Sequence, residues 1–214
     1  MQANSRAVNS SQAWTHPRLP ELVRRHLAEP WRKPVAPFNR EAFAALEQRL
    51  AAEPRSLVLD SFCGTGQSTA LLAARYPNHL VVGVDKSAQR LQRHAGGEFD
   101  NYLLLRAECE GIWQLLLERG CTVDHHYLLY PNPWPKPGHV QRRIHGHASL
   151  PLLLQLGGRV ELRSNWQLYV EEFGLAMTLA GRQGRIERVS GDPPLTLFEE
   201  KYRKSGHPLW RYRG

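Results

Sequence analysis

Residues 56–69 read SLVLDSFCGTGQST, and this run decides the fold. Ser56–Asp60 is a short apolar stretch of strand character that ends on a carboxylate. Gly64 and Gly66 follow, and without Cβ atoms they let the backbone turn tightly and approach a ligand closely. Ser68 or Thr69 can begin a helix, and Gln67–Arg75 continues with a helical pattern. A strand, a glycine turn and a helix in that order make the first half of a βαβ unit. Outward from it the alternation repeats. Strand signals fall at Leu80–Asp85, Tyr102–Ala107, Tyr127–Tyr130 and Arg159–Arg163, and helical patterns at Glu110–Arg119 and Trp166–Leu179. Phe43, Leu46 and Leu50 predict a helix leading into the domain. Such alternation predicts an α/β fold whose sheet is mostly parallel, with helices on both faces. Residues 1–40 are rich in Pro, Asn, Ser, Arg and Trp and show no sustained periodicity. They are expected to form a partly ordered N-terminal extension, with one domain over 41–214.

The chain has 214 residues, 42% of them hydrophobic and 22% charged, the profile of a globular domain. No apolar run approaches the 18 residues a membrane helix needs, and Met1–Thr15 is polar, without a signal-peptide core. A cytoplasmic protein is expected. The three cysteines, Cys63, Cys109 and Cys121, are odd in number and show no CxxC spacing, so neither a disulfide framework nor a zinc site is expected. His125-His126 and His145-Gly146-His147 lack a convincingly spaced third ligand, and no metal is assigned to them. A net charge of +8, with ten histidines besides, suits either a polyanionic partner, through neutralised phosphates and released counterions, or simple solubility, and the positions of the charges have to decide between them.

In a doubly wound sheet, ligands bind at the carboxyl ends of the strands. Three such ends carry acids in order: Asp60, Asp85 and Glu108. Asp85 can accept from both hydroxyls of a ribose, and Glu108 from an adenine amino group. A nicotinamide enzyme would show GxGxxG, whereas the third glycine position here holds Thr69. The turn resembles the shorter DxxxGxG loop of class I methyltransferases, which implies a Rossmann-like, mostly parallel seven-stranded sheet. It also implies S-adenosyl-L-methionine (SAM) held by Asp60, Gly64, Gly66, Asp85 and Glu108. A carboxylate such as Asp60 suits the cationic sulfonium. The competing reading is that Asp85 and Glu108 only cap helices.

The fourth strand runs into Tyr130-Pro131-Asn132-Pro133-Trp134-Pro135-Lys136-Pro137-Gly138-His139, with Arg142-Arg143 after it. Here the chain resembles the bacterial tRNA (guanine-N7)-methyltransferase family, whose block is PDPWxKxxHxxRR. Further matches follow in order: Gly157-Gly158-Arg159-Val160, then Ser164-Asn165-Trp166 with Tyr169, then Thr196-Leu197-Phe198-Glu199 with Gly206-His207-Pro208. The resemblance covers roughly 56–210 and implies methylation of guanine N7 in tRNA, in the variable loop. It gives Asn132 the catalytic position and a place beside the cofactor, and Lys136, Asn165, Thr196 and Glu199 the guanine. His139, Arg142 and Arg143 would contact RNA, and the enzyme would act as a monomer or homodimer. Two family aspartates are amides here, Asn132 and Asn165.

Guanine N7 already carries a lone pair, so the enzyme supplies orientation and charge stabilisation rather than a base. Losing the carboxylate at 132 costs about 1.5–3 kcal/mol, but an amide can donate to guanine O6. Glu199 can accept from guanine N1–H and the N2 amine together. The alternative for that segment is a turn capped by Thr196 with Glu199 in solvent. A second basic run, Lys201, Arg203, Lys204, Arg211 and Arg213, interleaves with Tyr202, Trp210 and Tyr212, which can stack on bases. Two other activities fit parts of the pattern. Amino-methyltransferases use an N/D-P-P-aromatic tetrapeptide at the same strand end, one proline longer than Asn132-Pro133-Trp134. The paired Asp-to-Asn changes also suit a non-catalytic RNA-binding module on this scaffold.

Overall fold

The computed structural model describes residues 5–191 and 193–214. Its strands are β1 (Ser56–Ser61), β2 (His79–Asp85), β3 (Tyr102–Arg106), β4 (His125–Leu129), β5 (Arg159–Ser164), β6 (Arg185–Arg188) and β7 (Trp210–Arg213). They form a seven-stranded sheet of order β3-β2-β1-β4-β5-β7-β6. The helices are α1 (Leu19–Ala28), α2 (Pro37–Ala52), α3 (Gln67–Arg75), α4 (Ala88–Leu91), α5 (Cys109–Glu118), α6 (Leu150–Gln155), α7 (Gln167–Leu179) and α8 (Leu197–Lys204). No helix among the described residues is long and apolar enough to cross a membrane.

The chain divides into two compact units. The first comprises Arg32–Leu128 and Gln155–Arg159 and carries the glycine turn. There β1 pairs in parallel with β2 and β4, and β2 with β3. Leu57–Leu59 and Leu80–Val82 are buried without alternation, as strands covered on both faces must be. Trp113, Ile112 and Leu116 of α5 and Leu72 and Ala73 of α3 complete that core. The helix read from Phe43 and Leu46 is α2, where both side chains are buried.

The second unit holds the segment ending at Trp31, Leu129–Leu154 and Val160–Gly214. Here β7 runs antiparallel to both β5 and β6. Within the first 40 residues the chain forms α1, which buries Leu19, Leu22, Val23 and His26. These positions follow the i, i+3, i+4, i+7 rule, so an amphipathic helix stands where the sequence had shown no sustained period. Leu19, Leu22 and Val23 pack with Val140, Leu150 and Ala176. The strand expected over Tyr127–Tyr130 instead begins at His125 and stops at Leu129, because Tyr130 turns into the left-handed region at φ 54°.

Candidate functional site

Of the residues expected at the cofactor, Asp60, Gly64, Gly66, Asp85 and Glu108 lie in the first unit, and Asn132 lies in the second. Asp60 is fully buried at the penultimate position of β1, and its Oδ2 accepts from Ser68 Oγ at 2.6 Å and Thr69 Oγ1 at 2.7 Å. Burial pushes its pKa up to about 6, against the pull of those two hydroxyls. Its second oxygen, Oδ1, is buried without a protein partner. Ser68 and Thr69 thus tie the first turn of α3 to Asp60, while the helix itself starts from Gly66 at φ 76°. Gly83 on β2 leaves room for this: a Cβ there would lie 2.3 Å from Thr69 Oγ1.

Asp85 pins the turn from the other side. Its Oδ2 accepts from Gly64 N at 3.0 Å and its Oδ1 from Ser87 N at 2.8 Å, with Arg90 Nη2 at 3.2 Å. Phe62 takes φ 63°, and its N–H donates to Cys109 Sγ at 3.3 Å. Left-handed non-glycine residues are costly and collect where a site over-determines the backbone. Gly64 sits at φ 62° with nothing within 4 Å of where a Cβ would stand, so the space beside the turn is open. Glu108 occupies the N-cap position of α5 but makes no side-chain cap bond. Its carboxylate meets Lys33 Nζ at 2.8 Å, which holds its pKa below the usual range, and its own N–H donates to Asn39 Oδ1 at 2.9 Å. Open space at Gly64, a buried orphan oxygen on Asp60 and carboxylates at two successive strand ends fit a cationic nucleoside such as SAM.

The loop after β4 belongs to the second unit. Tyr130 and Trp134 take φ 54° and 45°; with Phe62 they are the left-handed non-glycine residues of the described chain. Asn132 is exposed, and its Oδ1 accepts from Trp134 N at 3.3 Å, an Asx turn that leaves the amide NH₂ outward. Lys136 and Arg142 are exposed and His139 half-buried, with Arg142 over the Trp134 ring at 4.9 Å.

Arg143 departs from expectation. It is fully buried and cannot grip phosphates from there. Its Nε and Nη2 donate to Trp134 O at 3.2 and 3.1 Å, and its Nη1 to Glu172 Oε2 at 2.5 Å. It clamps the Asn132 loop from below. Glu172, on α7, is the residue the sequence reading missed. It is wholly buried and also accepts from His145 Nε2 at 2.9 Å, His16 N at 2.7 Å and Gln12 Nε2 at 2.6 Å. Burial alone would raise its pKa, but these donors and the Arg143 charge outweigh it and hold it at about 2. Of the two adjacent carboxylates on this apolar helix, Glu172 falls on the buried face with Tyr169, Phe173 and Ala176, and that spacing was the available signal. Ser10 Oγ adds a bond to Pro135 O at 2.5 Å, so the N-terminal segment touches the same loop.

The C-terminal blocks also differ from their expected roles. Thr196 Oγ1 caps α8 by accepting from Glu199 N at 2.9 Å. Glu199 is fully buried rather than in solvent, and both its oxygens are taken by Arg163 Nη1 at 3.0 and 3.1 Å, with Arg203 Nη2 at 2.7 Å. As it stands, it offers no open face to guanine. Asn165 Nδ2 lies 3.2 Å from His207 Nδ1, and His207 Nε2 lies 2.9 Å from Ser5 O. A carbonyl can only accept, so Nε2 carries the proton and Nδ1 accepts from the Asn165 amide.

Residues 54–212 match a family model described as "Putative methyltransferase". The chain belongs to that methyltransferase family. Two curated relatives, both tRNA (guanine-N(7)-)-methyltransferases, come from Zymomonas mobilis and Rubrobacter xylanophilus. The first is 28% identical over 77% of this chain and 76% of its own. The second is 30% identical over 77% and 75%. Among solved structures, the 16S rRNA methyltransferase KamB superposes with a TM-score of 0.58 at 18% identity, covering 79% of this chain and 92% of that one. An antibiotic-related methyltransferase gives 0.56 at 15%, covering 85% and 96%. These two likenesses establish the class I fold of this methyltransferase.

Proposed function

We propose that this chain is a SAM-dependent methyltransferase that forms 7-methylguanosine in tRNA, at a guanosine of the variable loop, in the cytoplasm. The observation that carries the reading is the glycine turn, locked by the Gly64 N–H to Asp85 bond and open beside Gly64. The relatives' names supply the target base, since both are tRNA (guanine-N7) enzymes matched over about three-quarters of their length. When bound, SAM supplies an electrophilic methyl group whose sulfur keeps the bonding pair.

The chain's own residues do the rest. Asp85 retains lone pairs for the ribose hydroxyls while it fixes the turn, and Glu108 accepts from the adenine amine. Asp60 adds negative potential beside the sulfonium. Asn132, its oxygen already taken by Trp134 N–H, presents the amide NH₂ to guanine O6 and orients N7 for in-line attack. Lys136 and Arg142 meet backbone phosphates, with His139 beside them. Asn165 acts through His207. Thr196 and Glu199 hold the first turn of α8, and Glu199 engages the base only by exchanging an arginine for it. The test is transfer of labelled methyl from SAM to tRNA followed by digestion to nucleosides. Label in 7-methylguanosine supports the reading; label confined to methylated adenosine moves the enzyme to the amino-methylating class.

A further inference from the structure

A groove of about 430 Å³ opens in the second unit, between the β6 end and the turn after α8. Arg188, Arg203 and His207 line it, with Ser190, Gly191 and Pro208 as small walls. No carboxylate lines it among the described residues. The two arginines are held in different ways. The Arg188 Cζ lies over the Trp210 ring, 5.0 Å from its centre, a cation–π contact that does not consume the guanidinium's N–H donors. Arg203 bonds Glu199 through Nη2 at 2.7 Å, and its side chain keeps 30% of its surface exposed. His207 closes one wall as a rigid plate, stacked on Tyr202 at 5.4 Å and 18°. Tyr202 in turn stacks on Phe198 at 6.2 Å and 25°, and Phe198 is 49% exposed.

The exposed guanidinium of Arg188, the Glu199-anchored cation of Arg203 and the His207 ring, together in one concave groove, match a phosphodiester flanked by a base. Small residues at 190 and 191 allow a backbone to come close. None of these residues belongs to the glycine turn or to the Asn132 loop. We propose that this groove binds one phosphodiester of the RNA substrate through Arg188 and Arg203, the next base lying on the Phe198–Tyr202–His207 ladder. The inference rests on the tRNA reading above and adds a phosphate subsite to it.

Arg188 is exposed at the end of an edge strand, so its truncation leaves the core intact. The experiment titrates tRNA against full-length wild type, Arg188→Ala, Ser190→Glu and Arg185→Ala over a range of KCl. One neutralised phosphate contributes roughly the 0.7 to 0.9 power of inverse salt concentration, about fivefold in affinity at 0.15 M. Arg188→Ala should bind tRNA about fivefold more weakly, with a log–log salt slope shallower by about one contact and unchanged SAM affinity. Ser190→Glu, which brings a like charge to the phosphate, should weaken binding at least as much. Arg185→Ala, on the same strand but outside the groove, should match wild type. Wild-type affinity and slope in Arg188→Ala, or an equal loss in Arg185→Ala, would overturn the subsite. A wild-type protein that neither binds nor methylates tRNA overturns instead the reading on which it rests.

Discussion

Replacing Glu172 with Gln removes one buried charge and keeps the shape. Its carboxylate is wholly buried and accepts from four donors, among them the buried guanidinium of Arg143. Its pKa is about 2 in the folded chain against an ordinary 4.5. At about 1.4 kcal/mol for each pH unit of that separation, the folded state gains about 3 kcal/mol from the ionised form at neutral pH. Breaking a buried pair by removing one partner costs about 3–5 kcal/mol, a consistent figure from a different argument. The sign is that of a depressed acid: the stabilisation is full above about pH 4.5 and is lost as pH falls toward 2. Urea unfolding should therefore show Glu172→Gln about 3 kcal/mol less stable at pH 7, and only about 1 kcal/mol less stable at pH 3. At neutral pH the melting temperature should drop by about 6–12 °C. Turnover should fall as well, since Arg143 keeps only a neutral acceptor in place of the charged partner that holds it under Trp134 O. A variant within 1 kcal/mol of wild type at pH 7, or a deficit that does not change down to pH 3, would refute the clamp.

Three further outcomes are expected. Asp85→Ala frees the Gly64 and Ser87 N–H groups and should weaken SAM at least about tenfold by calorimetry, while costing about 1–3 kcal/mol of stability. Asn132→Asp keeps an acceptor for Trp134 N–H and adds charge beside the purine cation, so kcat should rise about tenfold or more; a loss of activity at normal SAM affinity would show that the amide has its own task. Glu199→Gln should lower turnover and unfolding midpoint more than SAM affinity, because it leaves Arg163 buried without its full counter-charge; an equal loss of SAM affinity would move Glu199 into the cofactor site.

The β1 to β5 core was legible because strands covered on both faces must be apolar throughout, as Leu57–Leu59 and Leu80–Val82 are. The outer strands were not. β6 reads RIER and β7 reads WRYR, and charged, partly exposed strands carry no apolar run to find. α1 was hidden by its own composition, since one of its four buried positions is His26 and Pro20 sits in its first turn. At the site, the order of Asp60, Gly64, Gly66 and Asp85 was readable because adjacent strand ends bring near what lies 25 residues apart. The fates of Arg143 and Glu199 were not. A basic residue beside a motif looks exposed until its partner is known, and Glu172 lies 29 residues away from Arg143. The same holds for Glu199, whose counter-ion Arg163 is 36 residues distant.

The most direct measurement uses unlabelled tRNA, SAM and the purified chain, followed by borohydride reduction and aniline. A 7-methylated guanine loses aromatic stability on reduction, and the backbone breaks at that nucleotide alone. SAM-dependent scission is expected at one guanosine of the variable loop, abolished by Asp85→Ala. Intact tRNA after prolonged incubation with a chain shown to bind SAM would contradict it.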